Sequence, residues 1–172
     1  MTEGPRVVLV GPPGAGKTTV GRALARRWGT SFHDTDAEVE GATGKTVPEI
    51  FVDDGEASFR ALEELAVTDT LSSATGVVAL GGGAVVSTAT RERLRGHRVV
   101  FLDVGLTAAV NRVGLGAARP LVFGNVRAQL KALLDVRRAW YVEVATFVVA
   151  TDGRTVAQVV DAVDEVLSEV SR

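Results

Sequence analysis

The chain lacks cysteine altogether and has little of several other residues that mark special classes of protein. Its 172 residues include no cysteine, one methionine and one tyrosine, and aromatic residues make up only 5%. Without cysteine, the sequence can form neither a disulfide framework nor a thiolate metal site. No apolar run approaches the length of a membrane span, and no signal-peptide pattern precedes Val7. We therefore expect a cytoplasmic protein.

An excess of charge of one sign is also missing. The formal net charge is −2, which argues against bulk binding to nucleic acid or to a membrane surface. The basic residues are 16 arginines and only 3 lysines, so an arginine needs support from its position before it indicates function. The length and the ordinary hydrophobic content predict a single domain, residues 1–172, with a substantial core.

One motif near the start carries the most information. Gly11–Thr18 reads GPPGAGKT and fits the phosphate-binding loop G-x-x-x-x-G-K-[ST], with the strand-like Val7–Val10 before it and a helical pattern after it. Its glycines allow backbone N–H groups to surround an anion, and the following helix directs its positive end there. Lys17 would reach the β- and γ-phosphates, and the Thr18 hydroxyl could bind Mg²⁺. The alternative is a glycine-rich structural turn.

Strand-like and helical segments alternate along the rest of the chain. The predicted strands are Arg6–Val10, Ser31–Asp34, Val77–Leu80, Arg98–Asp103 and Thr146–Ala150. The predicted helical segments are Lys17–Trp28, Ala37–Leu71 with breaks near Gly44 and Gly55, Thr88–Leu94, Thr107–Arg112, Arg127–Tyr141 and Val156–Val170. Gly114–Asn125 is predicted as a loop. Short apolar strands separated by helices predict an α/β fold, a five-stranded parallel sheet with helices on both faces.

Three motifs follow predicted strands and should therefore meet at one edge of the sheet. They are the phosphate-binding loop, Asp34-Thr35-Asp36 and Gly81-Gly82-Gly83. One aspartate could hold Mg²⁺ through water while the other accepts a hydrogen bond from a substrate hydroxyl. Alternatively, Asp36 caps the helix that follows it. The glycines allow the backbone to approach a ligand closely, or form a plain flexible turn.

Four arginines stand out by their positions. Arg60 precedes Glu63 by three residues, a possible orienting partner, and Arg119 lies in the predicted loop. Arg137 and Arg138 lie on the penultimate helix. A small acidic substrate would be bound by a bidentate guanidinium, and an arginine in a flexible loop could fold over a transferred phosphate. Each could instead be an ordinary solvated surface residue.

Taken in order, these motifs resemble those of the shikimate kinases over nearly the full length. The resemblance rests on Gly11–Thr18, Asp34-Thr35-Asp36, the segment from Asp54 to Arg60, Gly81–Val85 and Arg119-Pro120-Leu121. It implies a P-loop kinase fold and ATP-dependent phosphorylation of the shikimate 3-hydroxyl, on the pathway to chorismate and the aromatic amino acids. It further implies ATP and Mg²⁺ as cofactors, shikimate as substrate, and a monomer.

The resemblance also implies site residues. ATP would be bound by Gly14, Ala15, Gly16, Lys17, Thr18, Thr19, Arg119 and Arg154, with Thr18 as the Mg²⁺ ligand. Shikimate would be bound by Asp36, Arg60, Gly82 and Arg137. Lys17, Asp34 and Arg119 would be catalytic, with Asp34 beside the metal and the reacting hydroxyl as a water-mediated ligand or a base. A lid would span residues 114–126, and a substrate-binding helical segment residues 36–62.

The sequence departs from the family pattern on the penultimate helix. The family usually has R-x-P-L-Y where this chain has Arg137-Arg138-Ala139-Trp140-Tyr141. Counting back from Tyr141 selects Arg137 as the carboxylate ligand, whereas counting forward from Arg119 selects Arg138. The alternative functions are a related small-metabolite kinase, such as a gluconate kinase, and a regulatory nucleotide-binding module without catalysis.

Overall fold

The computed structural model describes residues 4–115 and 126–170. Its strands are β1 Val7–Val10, β2 Phe32–Asp34, β3 Val77–Ala79, β4 Val99–Asp103 and β5 Phe147–Ala150. Its helices are α1 Lys17–Trp28, α2 Thr35–Thr43, α3 Val47–Asp54, α4 Glu56–Ser73, α5 Thr88–Arg93, α6 Leu106–Leu115, α7 Val126–Val144 and α8 Val156–Glu169. A single 3₁₀ turn covers Ala84–Val86. The predicted alternation of strands and helices is confirmed.

All five strands run parallel in the order β2-β3-β1-β4-β5. The strand β1 is central and pairs with β3 and β4, so Leu9 lies beside Ala79 on one side and Val100 on the other. On the far side of β3, Ala79 lies beside Asp34 of β2. The carboxyl ends of β1, β3 and β2 therefore lie next to one another at one edge of the sheet.

The sheet is covered on both faces because its side chains alternate between two cores. Val7 and Leu9 of β1 pack with α1 and α8, whereas Val8 and Val10 pack on the opposite face with residues of α4 and α7. These strand residues are almost fully buried. Burial on both faces explains why the inner strands β1, β3 and β4 are continuous apolar runs instead of alternating polar and apolar residues.

Helices α2, α3 and the start of α4 form a smaller unit around Val39, Ile50 and Phe59. Left-handed Gly44 (φ 70°) ends α2, and Gly55 (φ 85°) separates α3 from α4, as the sequence predicted. A capping box between Thr46 and Glu49 begins α3. The predicted substrate-binding segment thus consists of two short helices and the first residues of a longer one.

The region predicted as a loop and lid begins later than expected. Helix α6 continues through Gly114 to Leu115, and α7 begins at Val126, so the ends of residues 114–126 are helical. The rest of that segment, including Arg119, lies outside the described residues. Among the helices of the described part, none is both long and apolar enough to cross a membrane.

Candidate active site

The phosphate-binding loop connects β1 to α1 and depends on two left-handed glycines. Gly14 has φ 81°, and Gly16, with φ 89°, is the N-terminal cap of α1. No side chain caps this helix. The first N–H groups of α1 therefore remain available to an anion, at the end of the helix where the dipole favours negative charge.

Lys17 lies along the inner side of this loop. Its Nζ donates to the carbonyl of Gly11 at 2.7 Å and to that of Pro12 at 3.0 Å. Burial lowers the pKa of Lys17 from 10.5 to about 8, although Asp36 and Asp34 oppose the shift. This ammonium is largely removed from water and has two carbonyl groups as its acceptors, so negatively charged phosphate oxygen atoms would stabilise it further.

Asp34 joins the loop to the acceptor side of the site. Thr18 Oγ1 donates to Asp34 Oδ2 at 2.8 Å, while Asp34 Oδ1 accepts from the backbone N–H groups of Asp36 (3.0 Å) and Ala37 (3.4 Å). Asp34 is therefore the N-cap of α2, which starts at Thr35. The alternative in which Asp36 caps a helix starting at Ala37 is wrong: Asp36 lies within the first turn.

Asp36 is a partly buried carboxylate that is free to accept a hydrogen bond. Burial raises its pKa, and the neighbouring charge of Asp34 adds to the shift, whereas Lys17 opposes it. Among the described side chains, Asp36 Oδ1 is one of three buried polar atoms that have no hydrogen-bond partner. A buried acceptor of this kind is costly unless a ligand supplies a donor.

Arg60 is held at the site by Glu63, the partner that the sequence spacing suggested. Arg60 Nη1 donates to Glu63 Oε1 at 2.8 Å, and Glu63 is only 3% exposed. Burial raises the pKa of Glu63, while the hydrogen bond and charge of Arg60 oppose the rise. Arg60 Nε is buried without an acceptor in the described structure, so this guanidinium still has a donor to offer.

The three glycines after β3 are each required by a different neighbour. A Cβ on Gly81 would lie 2.9 Å from Glu63 Oε2 and closer still to Asp36 Oδ1. A Cβ on Gly82 would lie 2.9 Å from Pro13 Cδ, and one on Gly83 would lie 2.6 Å from Arg60 Cζ. The segment is therefore not simply a flexible turn, because the side chains of the site itself pack against its backbone.

The two adjacent arginines of α7 point to different surroundings. Arg138 Nη1 makes an ion pair with Asp103 Oδ1 at 2.6 Å, at the end of β4. The charge of Arg137 instead acts on groups of the cleft: it contributes to the lowered pKa of Lys17 and opposes the rise in the pKa values of Glu63 and Tyr141 that burial causes. Arg138 is therefore engaged at the end of β4, whereas the charge of Arg137 acts on the cleft.

Two hydrogen-bonding residues of the site had not been predicted. Thr35, fully buried, accepts a hydrogen bond from the Gly81 N–H at 3.1 Å, and the Tyr141 hydroxyl donates to the Gly82 carbonyl at 2.5 Å. Both lie within motifs quoted for the resemblance, Thr35 between the two aspartates and Tyr141 at the end of the altered R-x-P-L-Y. That position inside a motif was the available signal.

Besides the cleft between the loop and the two aspartates, which is described next, a second cavity of about 390 Å³ lies on the other side of the loop. It is lined by Ala15, Gly16, Thr19, Val20, Arg112, Thr151, Arg154, Thr155, Val156 and Val159. Arg112 donates to the Gly14 carbonyl at 2.8 Å and was not predicted as a site residue. Thr19 and Arg154, both expected on the nucleotide side, line this cavity.

The two sides of the site meet in a cleft of about 320 Å³. It is lined by Pro13, Gly14, Gly16, Lys17, Thr18, Thr19, Asp34, Asp36, Leu80, Gly81 and Gly82. One wall offers N–H groups and an ammonium to phosphate oxygens, and the other offers carboxylate oxygens to hydroxyl groups. Such a cleft can bind a phosphate donor beside a hydroxylated acceptor, with Arg60 and Arg137 nearby for a carboxylate.

Oxygen donors for a magnesium ion are also present at this point. The Thr18 hydroxyl and the Asp34 carboxylate are adjacent hard oxygen ligands, which suit Mg²⁺ when phosphate oxygens and water complete its coordination. Among the described residues, no group of three or more histidine, cysteine or acidic side chains could hold a metal by itself. The donor set therefore fits a metal that arrives with a nucleotide.

The sequence matches known families along most of its length. The family model described as shikimate kinase matches residues 13–168. A shikimate kinase from Salinispora arenicola is 62% identical over 154 residues, which are 90% of this chain and 92% of that protein. One from Thermobifida fusca is 57% identical over 155 residues, 90% of each chain.

Solved structures show the same similarity. A shikimate kinase from Acinetobacter baumannii, solved in complex with shikimate, is 35% identical with a TM-score of 0.90, over 98% of this chain and 94% of that one. A gluconokinase from Sinorhizobium meliloti also aligns, with a TM-score of 0.62 over 98% of this chain and 93% of that one, but it is only 22% identical. The second likeness shows a shared fold and nothing about substrate.

Proposed function

This chain belongs to the shikimate kinase family, whose activity is the ATP-dependent phosphorylation of shikimate, and we propose that the cleft described above carries out that reaction on the shikimate 3-hydroxyl. The observation that carries the proposal is that one cleft contains both Lys17 with Thr18 and the pair Asp34 and Asp36. Donor phosphate and acceptor hydroxyl would then be held side by side, as direct in-line transfer requires.

On the nucleotide side, the backbone N–H groups of residues 14–19 bind the phosphates, and Lys17 neutralises charge at the β- and γ-phosphates. Arg154 lies near the base end of the nucleotide. The left-handed loop geometry, the lining of the second cavity and the sequence resemblance support these roles. For Arg119, the sequence resemblance alone supports a role in covering the transferred phosphoryl group.

Mg²⁺ would be bound by the Thr18 hydroxyl and, directly or through water, by Asp34. Bound there, the metal would neutralise charge on the phosphate oxygens. Asp34 keeps the Thr18 hydroxyl directed into the cleft, and its own fixed position as the cap of α2 leaves it little freedom to turn away.

On the acceptor side, the unpartnered Oδ1 of Asp36 accepts from a shikimate hydroxyl, and the unpartnered Nε of Arg60 donates to the substrate. Arg60 and Arg137 together bind the carboxylate, and the Gly82 backbone contacts the ring. Glu63 keeps Arg60 in place and compensates part of the positive charge that the two guanidinium groups bring together.

We further propose that the protein works as a monomer in the cytoplasm, with small molecules as its only partners. Sedimentation velocity at micromolar concentration, with and without ATP and shikimate, tests the oligomeric state. A stable dimer peak would contradict the monomer.

A matched pair of variants tests the assignment of the carboxylate ligand. Arg137→Ala should raise the KM for shikimate about 10- to 100-fold with little change in the KM for ATP, because charge-assisted hydrogen bonds contribute about 1.5–3 kcal/mol. Arg138→Ala, which removes a neighbouring charge of the same sign, should change the shikimate KM less than about threefold. ADP release is the measurement. A larger effect at Arg138 would overturn the assignment, and ADP release with gluconate but not with shikimate would overturn the function.

A further inference from the structure

Tyr141 is the largest fully buried side chain of the described structure, and the reaction outlined above does not use it. It lies on α7 with 1% of its surface exposed, and its ring stacks on Phe101 of β4 at a centroid distance of 5.1 Å. The hydroxyl, however, does not belong to this apolar core. It points to the active-site edge, where it donates to the Gly82 carbonyl at 2.5 Å.

The same hydroxyl also faces the arginine proposed to bind the carboxylate. Arg137 precedes Tyr141 by four residues on α7, so both side chains lie on one face of the helix. The positive charge of Arg137 acts on the Tyr141 hydroxyl and opposes the rise in its pKa that burial causes. Arg60 and Glu63 are the other charged groups that act on it. The hydroxyl therefore bonds to one proposed contact of the acceptor, Gly82, and is close enough to the other, Arg137, to be affected by its charge.

We propose that Tyr141 is a positioning residue of the acceptor site, whose hydroxyl fixes the direction of the Gly82 peptide beside the Arg137 guanidinium. This inference rests on the proposed roles of Gly82 and Arg137. Gly82 has no side chain of its own to orient it, and the carbonyl that Tyr141 holds determines the plane of the peptide that follows. Thr35 holds the preceding N–H of Gly81, so the glycine segment is fixed at both ends.

Packing alone does not account for a tyrosine at this position. Phenylalanine would fill the same space against Phe101 without placing a hydroxyl in a buried environment, which costs free energy unless the hydroxyl is hydrogen-bonded. Tyr141→Phe therefore removes the positioning function and retains the ring. A role in the core alone predicts lower stability with unchanged substrate binding.

The kinetic test compares two Michaelis constants in Tyr141→Phe. Loss of a neutral hydrogen bond that orients ligands should raise the KM for shikimate about three- to tenfold and leave the KM for ATP within about a factor of two. The thermal midpoint is measured in parallel. An unchanged shikimate KM, or equal increases in both constants, would overturn the inference whatever happens to the midpoint.

A second test needs no substitution, because Tyr141 is the only tyrosine in the chain. Growth on 3-fluorotyrosine labels this site alone, and the folded protein should give one fluorine NMR signal. Saturating shikimate should shift that signal, because the substrate contacts Gly82, whose carbonyl accepts the hydrogen bond from the labelled hydroxyl, whereas ADP should shift it much less. A signal that shikimate leaves in place, in enzyme that still turns over, would refute the positioning role.

Arg137→Ala separates failure of this inference from failure of the proposed site. If Arg137→Ala leaves the shikimate KM unchanged, the carboxylate assignment fails and Tyr141 can act only through Gly82. If Arg137→Ala raises it and Tyr141→Phe does not, the assignment stands and the inference about Tyr141 is wrong.

Discussion

Substitution of Gly83 by alanine should weaken shikimate binding through a single contact. The new Cβ would lie 2.6 Å from Arg60 Cζ, whereas ordinary contacts begin near 3.4 Å, so the guanidinium must retreat by roughly 1 Å. Gly83 has φ −98°, which alanine adopts without strain, so the effect is steric and local. The far end of a flexible arginine can move, and we therefore expect the variant to fold.

The size of the expected rise in the shikimate KM follows from the hydrogen bond between Arg60 and Glu63 that this movement breaks. Arg60 Nη1 and Glu63 Oε1 are 2.8 Å apart, and a displacement of 1 Å directed away from Glu63 takes them beyond hydrogen-bonding distance. Hydrogen bonds that involve charged groups contribute about 1.5–3 kcal/mol. If the bound substrate loses a comparable amount, the KM for shikimate rises about 10- to 100-fold.

The assay measures ADP release first at varied shikimate concentration with saturating ATP, and then at varied ATP concentration with saturating shikimate. Gly41→Ala is the matched control, because a Cβ there meets nothing within 4 Å and Gly41 lies inside α2, where alanine favours the helix. Gly83→Ala with an unchanged shikimate KM, or with an equal rise in the KM for ATP, would refute the reasoning that this glycine exists to accommodate Arg60.

Two further predictions concern buried titratable groups. Lys17→Met should abolish activity yet stabilise the fold by about 1–2 kcal/mol at pH 7, as measured by urea unfolding. Because the pKa of Lys17 is lowered to about 8 in the folded protein, the unfolded chain binds more protons between pH 8 and 10.5. The cost of the buried charge to stability is therefore fully present below pH 8 and is lost as the pH rises from 8 to 10.5. For Tyr141, burial raises the pKa to about 12, so absorbance at 295 nm should report ionisation near pH 12 in the folded protein and near pH 10 in denaturant. Because the folded pKa is the higher one, stability should fall as the pH rises above 10.

Each of these two predictions, on Lys17 and on Tyr141, can be contradicted by a specific result. A Lys17→Met variant that is less stable at pH 7, or equally stabilised at pH 10.5, would show that the hydrogen bonds from Nζ to the loop carbonyls outweigh the burial of the charge. A tyrosine that is half ionised below pH 11, while circular dichroism still reports a folded protein, would show that the hydroxyl is more solvated than the structure indicates.

Much of the fold could be predicted because its signals are local. Helix α1 has the predicted bounds Lys17–Trp28, since a phosphate-binding loop ends before it and left-handed Gly29 (φ 61°) ends it. Strands β1, β3 and β4 are short apolar runs that reach a glycine or an aspartate at their end or within two residues of it. Helix α2 begins two residues before the predicted Ala37, because Asp34 both ends the strand and caps the helix, whereas the sequence offered Asp36 only as an alternative cap.

The parts of the site that could not be predicted depend on contacts between distant residues. The hydrogen bond from Arg112 to the Gly14 carbonyl joins residues 98 apart in the sequence. The hydrogen bonds of Tyr141 with Gly82 and of Thr35 with Gly81 join residues 59 and 46 apart. No local period or spacing encodes such pairs, because they form only when the parallel strands bring their ends together. The partnership of Arg60 with Glu63 was foreseen because it lies within one helical turn.

The order of the strands determines how far apart the two substrates are held. The phosphate-binding loop follows β1, the glycine segment follows β3, and these two strands are direct neighbours, so their ends are separated by one strand spacing of about 4.8 Å. That separation comes from backbone hydrogen bonds and not from any side chain of the site. Substitutions in the cleft can therefore change how tightly a ligand binds, while the spacing between the two loops is a property of the sheet.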